Sequence, residues 1–452
     1  MHDTIAAVIL AAGQGTRMKS STPKVLHQVG GKPMIRYSLE IAKSICTILP
    51  VVVIGHGSEQ LQAALKDDAR FALQEKQLGT AHAVQQSEPF LSENSDLVIV
   101  LYGDMPLLTT ETVSQLVEIQ QASAGPMTML TVISDDPRGF GRVIRAADGC
   151  VEAIVEEAQA SPEQLLVKEL NVGVYCFKSS WLWDTLKKIE KSPKGEYYLT
   201  DTVALAVAEG LKVQAGSLQD AAEAIGINNR VHLAEAEAVM RSRNNRYWML
   251  AGVTIIDPPS TYIDSDVQIG QDTIIYPNTI IKAGTVIGRN CRIGPNSVID
   301  HTIIGDDCLV LASVMEKAVL ENHVEIGPFG HLRKGAHLAD YVHMGNFGEV
   351  KNSYLGPHSK MGHFSYIGDA KIGENVNIGA GTITCNYDGK LKHPTEIGDD
   401  VFIGSDTMLV APLKIGKGAQ TGAGSVVTHD VEPGSTVVGV PARKLDKKEN
   451  RG

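Results

Sequence analysis

The chain has 452 residues, 43% hydrophobic and 21% charged. That is enough apolar material for two or three domains, and it excludes a disordered tail or a small disulfide scaffold. A formal net charge of −11 argues against a nucleic-acid-binding surface, which needs a basic stripe. The 44 glycines follow no Gly-X-Y period, so they are expected to serve turns or phosphate loops.

No basic segment, apolar run or small-residue cleavage site opens the chain, so no signal peptide is expected. No apolar stretch approaches ~18 residues, so no membrane span is expected either. Cysteines 46, 150, 176, 291, 308 and 385 lack Cys-x-x-Cys pairing or zinc spacing. They read as buried thiols of a reducing, cytoplasmic compartment.

Residues 1–228 alternate short apolar runs with helical spacing. Ile5 to Leu10 is an apolar run, Met34 to Cys46 has helical spacing, and Val51 to Ile54 and Leu97 to Tyr102 are further runs. The pattern predicts an α/β, Rossmann-like domain on a mainly parallel sheet. After the first run comes Leu10-Ala11-Ala12-Gly13-Gln14-Gly15-Thr16-Arg17-Met18, with Pro23-Lys24 soon after. Glycines after a strand expose N–H groups that can cradle phosphate. The spacing is neither Gly-x-Gly-x-x-Gly nor a Walker A loop. Arg17 and Lys24 nevertheless place two cations beside the loop, suited to a polyphosphate.

Arg230 to Leu250 lacks Gly and Pro and is rich in Ala, Glu, Arg and Met. One long connecting helix is predicted there, within a linker of residues 229–251, with Asn229 as N-cap and Gly252 as stop. From 252 to 452 the period becomes six: aliphatic-Gly pairs recur from Ile269-Gly270 to Ile415-Gly416, with one-residue slips. This is the hexapeptide signature of a parallel β-helix. The aliphatic residue is expected inside the coil, and the Gly is expected to turn the corner with positive φ. Asp388 to Pro394 interrupts the repeat as a loop, and the charged end from Lys444 to Gly452 reads as a frayed tail. His363 lies within one to three coils of Arg333, Glu349, Lys351, Tyr366, Asn377 and Asn386. Lys351 to Tyr366 and Glu349 to His363 are near one coil of ~18 residues, allowing for the slips, so each pair is expected to stack on one face.

The glycine loop, Gln77-Leu78-Gly79-Thr80-Ala81 and Tyr102-Gly103-Asp104-Met105-Pro106 resemble the sugar-phosphate nucleotidyltransferases. More narrowly, Gly195 to Asp201 (GEYYLTD) and Asn228-Asn229-Arg230, ahead of a hexapeptide domain containing Gly379 to Gly389 (GAGTITCNYDG), narrow the match. Together they resemble the bacterial bifunctional N-acetylglucosamine-1-phosphate uridyltransferase/glucosamine-1-phosphate acetyltransferase family, over essentially the whole chain.

That resemblance implies a left-handed β-helix and two activities. Acetyl-CoA would acetylate glucosamine 1-phosphate, and UTP would then uridylylate N-acetylglucosamine 1-phosphate, supplying cell-wall peptidoglycan and lipopolysaccharide precursors. It assigns uracil to Gln74, Gly79 and Thr80 with backbone near Ala11 and Gly13, and Mg²⁺ to Asp104 and Asn228. Gly141, Glu156 and Asn171 would contact the acetylated sugar, Tyr102, Gly103 and Asn228 would also bind substrate, and Arg17 and Lys24 would act in catalysis on the phosphates. In the β-helix it makes His363 the general base, a role that suits an imidazole whose reference pKa is about 6.5, with Glu349 orienting the ring. Arg333, Lys351 and Tyr366 would bind the sugar phosphate, and Asn377 and Asn386 would place sugar and thioester. Ala380, Asn386, Tyr387, Ser405, Ala423 and Arg443 would contact acetyl-CoA. A homotrimer is implied, with no nucleic-acid or membrane partner. The family usually has Asp-Leu before Pro-Lys, where this chain has Ser21-Thr22. The competing reading is a single-activity nucleotidyltransferase whose β-helix only oligomerises or binds an effector, and the His363, Asn386 and Tyr387 set argues against it.

Overall fold

The computed structural model describes residues 3–445; the segment 446–452, expected above as the end of a frayed tail, lies outside them. The chain divides into two compact units between Met240 and Arg241.

The first unit is built on a nine-stranded sheet. Its strands are β1 (Ile5–Leu10), β2 (Val51–Ile54), β3 (Arg70–Leu73), β4 (Leu97–Tyr102), β5 (Met127–Ile133), β6 (Arg142–Arg145), β7 (Val151–Val155), β8 (Glu169–Lys178) and β9 (Gln214–Ser217). Their order is β9-β5-β8-β4-β1-β2-β3, with the β6–β7 hairpin attached to β8. The β4-β1-β2-β3 half is parallel. Strand β8, however, runs antiparallel to both β4 and β5, so the expected mainly parallel sheet is mixed. β1 and β4 are near-continuous apolar strands, with Ala6 to Ile9 and Val98 to Leu101 at 0% exposure, as strands covered on both faces require. The chain leaves β1 toward β2 on one side and β4 on the other. The crevice at their C-terminal ends, beyond Leu10 and Tyr102, is where an open α/β sheet binds ligands.

The helix Arg230–Leu250 forms as expected. Asn229 Oδ1 caps it, accepting from the backbone N–H groups of Val231 (2.8 Å) and His232 (2.9 Å). Gly252 (φ 96°) follows it, in a left-handed conformation that a glycine stop allows.

The second unit is a left-handed parallel β-helix whose coils each contribute one short strand to three sheets. Face one runs from Thr254–Ile255 to Arg443–Lys444, face two from Tyr262–Ile263 to Val426–Val427, and face three from Gln268–Ile269 to Leu413–Ile415. In-register pairing stacks like on like: Ile275, Ile293, Val310, Ile326, Met344, Met361, Ile378 and Ile403 form one internal ladder. Every member is at most 3% exposed. Each fully buried aliphatic side chain contributes about 1.5–3 kcal/mol, so the core is a column of roughly equal increments.

The repeat glycines do a different job from the expected one. Only two of the aliphatic-Gly pairs place glycine at positive φ, Gly294 (94°) and Gly327 (104°), each before proline. The left-handed corner residue falls two positions after the repeat glycine instead, as in Asp272, Asn290, Asp307, Asn375 and Asp400, types that tolerate αL. Glycine is needed at its own position because the coils approach closely there. A Cβ on Gly305 would sit 2.7 Å from the Glu321 carbonyl oxygen, and one on Gly404 2.7 Å from the Ala423 nitrogen.

The cysteines are all free, but only Cys176, Cys291 and Cys308 are buried; Cys46, Cys150 and Cys385 are partly exposed, contrary to expectation. Among the described residues no helix is long and apolar enough to cross a membrane.

Candidate active sites

A cavity of about 530 Å³ opens at the C-terminal ends of β1 and β4. Ala11, Gly13, Lys24, Gln74, Gly79, Thr80, Tyr102, Asp104, Gly141, Glu156, Asn171 and Asn228 all line it. Gly103 does not. It is buried behind the wall, where a Cβ would press on the Val25 and Ile35 side chains at 3.3 and 3.4 Å.

The charged end of the cavity is a knot of four side chains. Lys24 Nζ forms an ion pair with Asp104 and donates to Asn228 Oδ1 at 3.2 Å, while Arg17 Nη2 donates to the same oxygen at 3.1 Å. Arg17 therefore joins the site through Asn228 without lining the cavity. Gly15, with φ 61°, makes room for this knot, because a Cβ there would lie 2.7 Å from Lys24 Cβ. Ser21 and Thr22, where the family pattern is broken, are exposed, and Lys24 keeps its place on Asp104.

Among the described residues no group of three or more His, Cys, Asp or Glu side chains clusters as a metal site. Asp104 and Asn228 supply two hard oxygen donors bridged by one ammonium. That set fits Mg²⁺, which binds through one or two protein oxygens and fills its remaining positions with water and substrate phosphate.

The end of the cavity where the base is expected is lined by the segment after β3. Gly79 (φ 103°) packs so closely that a Cβ would collide with the Tyr197 backbone, and Thr80 Oγ1 accepts from Leu199 N–H at 3.0 Å. The opposite end, where the sugar is expected, lies by the β6–β7 hairpin, which delivers Gly141 and Glu156. The neighbouring Glu157 turns away and pairs with Arg142 at 3.2 Å. Asn171 is oriented by Tyr175 Oη (2.8 Å) and by the Gly173 N–H (3.0 Å). Burial pushes the Tyr102 phenol well up, reinforced by the Asp104 and Glu156 carboxylates, so it stays a hydrogen-bond donor. Glu196, Tyr198 and Thr200 also line the cavity. They belong to the Gly195–Asp201 string, which carried the resemblance but was given no roles.

In the β-helix, His363 is exposed at the corner between faces one and two. Ala380, Ser405 and Ala423 occupy the same corner in successive coils, linked by Asp406 N–H to Ala380 O (2.6 Å) and Gly424 N–H to Ser405 O (2.8 Å). The expected base and three expected acetyl-CoA contacts thus lie along one edge. Face two, beside it, carries Arg333, Glu349, Lys351 and Tyr366. The local coil has 17 residues, so Glu349 stacks on Tyr366 and Lys351 on Gly368, and the expected Lys351–Tyr366 and Glu349–His363 pairs fall short of one coil. Glu349 Oε1 accepts from Arg333 Nη1 at 2.9 Å. Among the described residues no hydrogen bond joins Glu349 to His363. The expected orienting contact is absent because the guanidinium one coil away draws the carboxylate along the face.

The inserted loop is well braced. Tyr387 bridges Lys392, and Asp388 accepts from the N–H groups of Lys390 (2.8 Å) and Leu391 (2.7 Å) and pairs with His393 Nε2 at 2.7 Å. The His393 imidazole and those N–H groups hold the Asp388 carboxyl well below the usual carboxylate range. The loop brings Lys392 against Lys351, and Lys392, then Arg333, pushes the Lys351 ammonium down. Three cations converge, which an anion would relieve. Lys392 was not among the sequence-predicted residues; its only signal was its place in an insertion. Asn386 is buried and committed to Asp369. Asn377 lies on face one, in register with Lys360 and Phe402, so one chain does not bring it onto the face that holds the cations. Tyr387 is exposed with its hydroxyl on Gly389 O at 2.7 Å, and Arg443 lies in the last strand, near the C-terminus.

Residues 6–251 match the nucleotidyl transferase family model, and residues 266–301 and 394–429 match the bacterial transferase hexapeptide model. The bifunctional protein GlmU of Heliobacterium modesticaldum is 49% identical over 98% of this chain and 97% of its own length. Those of a Geobacillus species and Bacillus velezensis are 47% and 45% identical, over 98% of this chain and 96% and 97% of theirs. A solved putative glucose-1-phosphate thymidylyltransferase of Bacillus anthracis covers 52% of this chain and 94% of its own at 22% identity and TM-score 0.44. With a nucleotidyl transferase match, a hexapeptide transferase match and a relative 49% identical along 98% of its length, the chain belongs to the GlmU family of bifunctional transferases.

Proposed function

We propose that residues 252–452 transfer the acetyl group of acetyl-CoA to the 2-amine of glucosamine 1-phosphate. Residues 1–228 then transfer uridylate from UTP to the resulting N-acetylglucosamine 1-phosphate, releasing pyrophosphate, and the helix of 229–251 joins the two. The observation that carries this reading is the presence in one chain of two separate anion-ready sites: the Lys24–Asp104–Asn228–Arg17 knot and the Arg333–Lys351–Lys392 face beside His363.

In the acetyl step the His363 imidazole takes a proton from the substrate ammonium. The free amine attacks the thioester carbonyl, and as the C–S bond breaks the CoA sulfur leaves as a thiol with the second amine proton. The three cations hold the sugar phosphate while the amine points toward the corner. In the uridylyl step the sugar phosphate is already an anionic nucleophile, so attack on the α-phosphorus needs no general base. Arg17 and Lys24 neutralise the charge that develops on the phosphates. Mg²⁺ held by Asp104 and Asn228 would add Lewis-acid stabilisation of those oxygens.

A homotrimer in the cytoplasm accords with this reading. Phe329 and Phe347 stack at 5.1 Å on the His363 corner, with Phe364 in the next coil, and all three are more than half exposed. Asn377 would reach a sugar only on a neighbouring copy. The test supplies glucosamine 1-phosphate, acetyl-CoA, UTP and Mg²⁺ together and separately, with products identified by mass. His363→Ala is expected to abolish acetyl transfer and keep uridylyl transfer; full acetyl transfer in that variant would remove His363 as the base.

A further inference from the structure

Gln74 is 3% exposed, yet its side chain lines the nucleotide cavity. Its amide nitrogen Nε2 donates to the Gly79 carbonyl at 3.1 Å and meets His82 Nδ1 at 3.0 Å. The Gly79 oxygen can only accept, so the NH₂ end of the amide must face it, whatever the state of the histidine. The second amide hydrogen then points at His82 Nδ1, which must be the unprotonated ring nitrogen. Burial holds the His82 imidazole below the ordinary histidine range, which keeps Nδ1 an acceptor near neutral pH.

Both amide hydrogens are therefore occupied. Among the described residues nothing donates to Gln74 Oε1, and this oxygen is not one of the fully buried polar atoms left without a partner, so it keeps open surface. The cavity receives from Gln74 an acceptor and no donor. The arrangement is rigid on every side. Gly79 is locked against the Tyr197 backbone, Ala81 N–H donates to Tyr197 O at 3.0 Å, and the His82 ring stacks over Tyr197 with centroids 6.5 Å apart. His82 is held on the short helix Thr80–Gln85, whose first turn also uses the Gly79 carbonyl, through Ala83 N–H at 3.1 Å.

We propose that His82 is a positioning residue for base selection: with Gly79 it fixes the Gln74 amide so that only its oxygen meets the base, selecting an N3–H pyrimidine over cytosine. Uracil presents a donor at N3, whereas cytosine presents a lone pair there, which would face the oxygen unpaired. A site built to pair one hydrogen discriminates strongly against an analogue that lacks it. This rests on the reading of UTP as substrate with its base at Gln74.

The experiment compares kcat/KM for UTP and CTP in the full chain and three variants, with N-acetylglucosamine 1-phosphate and Mg²⁺. The wild type is expected to prefer UTP, and Gln74→Ala to lose most of that preference. His82→Leu removes the acceptor, and the UTP:CTP ratio is expected to fall about tenfold, as for loss of one hydrogen bond in a closed site. His82→Asn restores an acceptor oxygen near the Nδ1 position and is expected to recover most of the ratio. A merely structural role for His82 would lower both substrates together and leave the ratio unmoved. An unchanged ratio in His82→Leu, with a collapsed ratio in Gln74→Ala, overturns the proposal and leaves the base placement standing. An unchanged ratio in Gln74→Ala overturns the base placement and the proposal with it.

Discussion

Lys392, and then Arg333, lie close enough to Lys351 to push its ammonium down, so an anion seated among them would be stabilised. The Asp388 brace fixes the backbone of the loop that carries Lys392. Lys392→Ala should therefore weaken binding of glucosamine 1-phosphate, with KM rising about tenfold and kcat changing little, since the lost contact is a charge-assisted one far from the reacting amine. Steady-state kinetics with varied sugar phosphate checks it, and an unchanged KM would remove Lys392 from the site. Arg17 and Lys24 beside the glycine loop, and His363 among its neighbours, were legible in the chain itself, whereas most other site residues were named through the family resemblance. Side-chain commitments were not legible. Glu349 turns to Arg333 instead of His363, and Asn386 is held by Asp369, because each choice depends on a neighbour one coil away.

At the level of the repeat, the six-residue period revealed the β-helix, since an aliphatic side chain must point inward once per strand. The reason for glycine beside it could not be read from a linear pattern, because the crowding atom belongs to the next coil. Two substitutions separate crowding from backbone conformation. On Gly305 a Cβ would lie 2.7 Å from the Glu321 carbonyl oxygen, whereas on Gly362 nothing lies within 4 Å, and neither glycine has positive φ. Gly305→Ala should destabilise by about 2 kcal/mol through overpacking, while Gly362→Ala should shift stability by less than about 0.5 kcal/mol. Denaturant midpoints of the two variants decide it. Equal losses would mean that conformation, not coil-to-coil contact, selects glycine. The 17-residue coils near His363 carry the same lesson: a one-residue slip changed which side chains stack, and only the strand register reports it.

The whole chain combines a mixed α/β sheet, whose site sits where strand order reverses, with a β-helix, whose site runs along an edge. Fold class was legible because the two halves have different hydrophobic periods; the antiparallel strand β8 was not, because an apolar run does not report its direction. The residues assigned to each chemistry lie in their own compact unit, and none assigned to one serves the other. Removing one activity should therefore leave the other intact, with the acetylated sugar phosphate passing between them through solution. His363→Ala should make no UDP-sugar from glucosamine 1-phosphate but should make it from N-acetylglucosamine 1-phosphate. Asp104→Ala should stop at the acetylated sugar phosphate, because the carboxylate that holds Lys24 and suits Mg²⁺ is gone. An equal mixture of the two variants should then restore the complete conversion, after a lag while the intermediate accumulates. Product formation followed by mass reads both the lag and the yield. A mixture that remains inactive, although each variant retains its single activity, would mean that the intermediate must be handed over within one molecule.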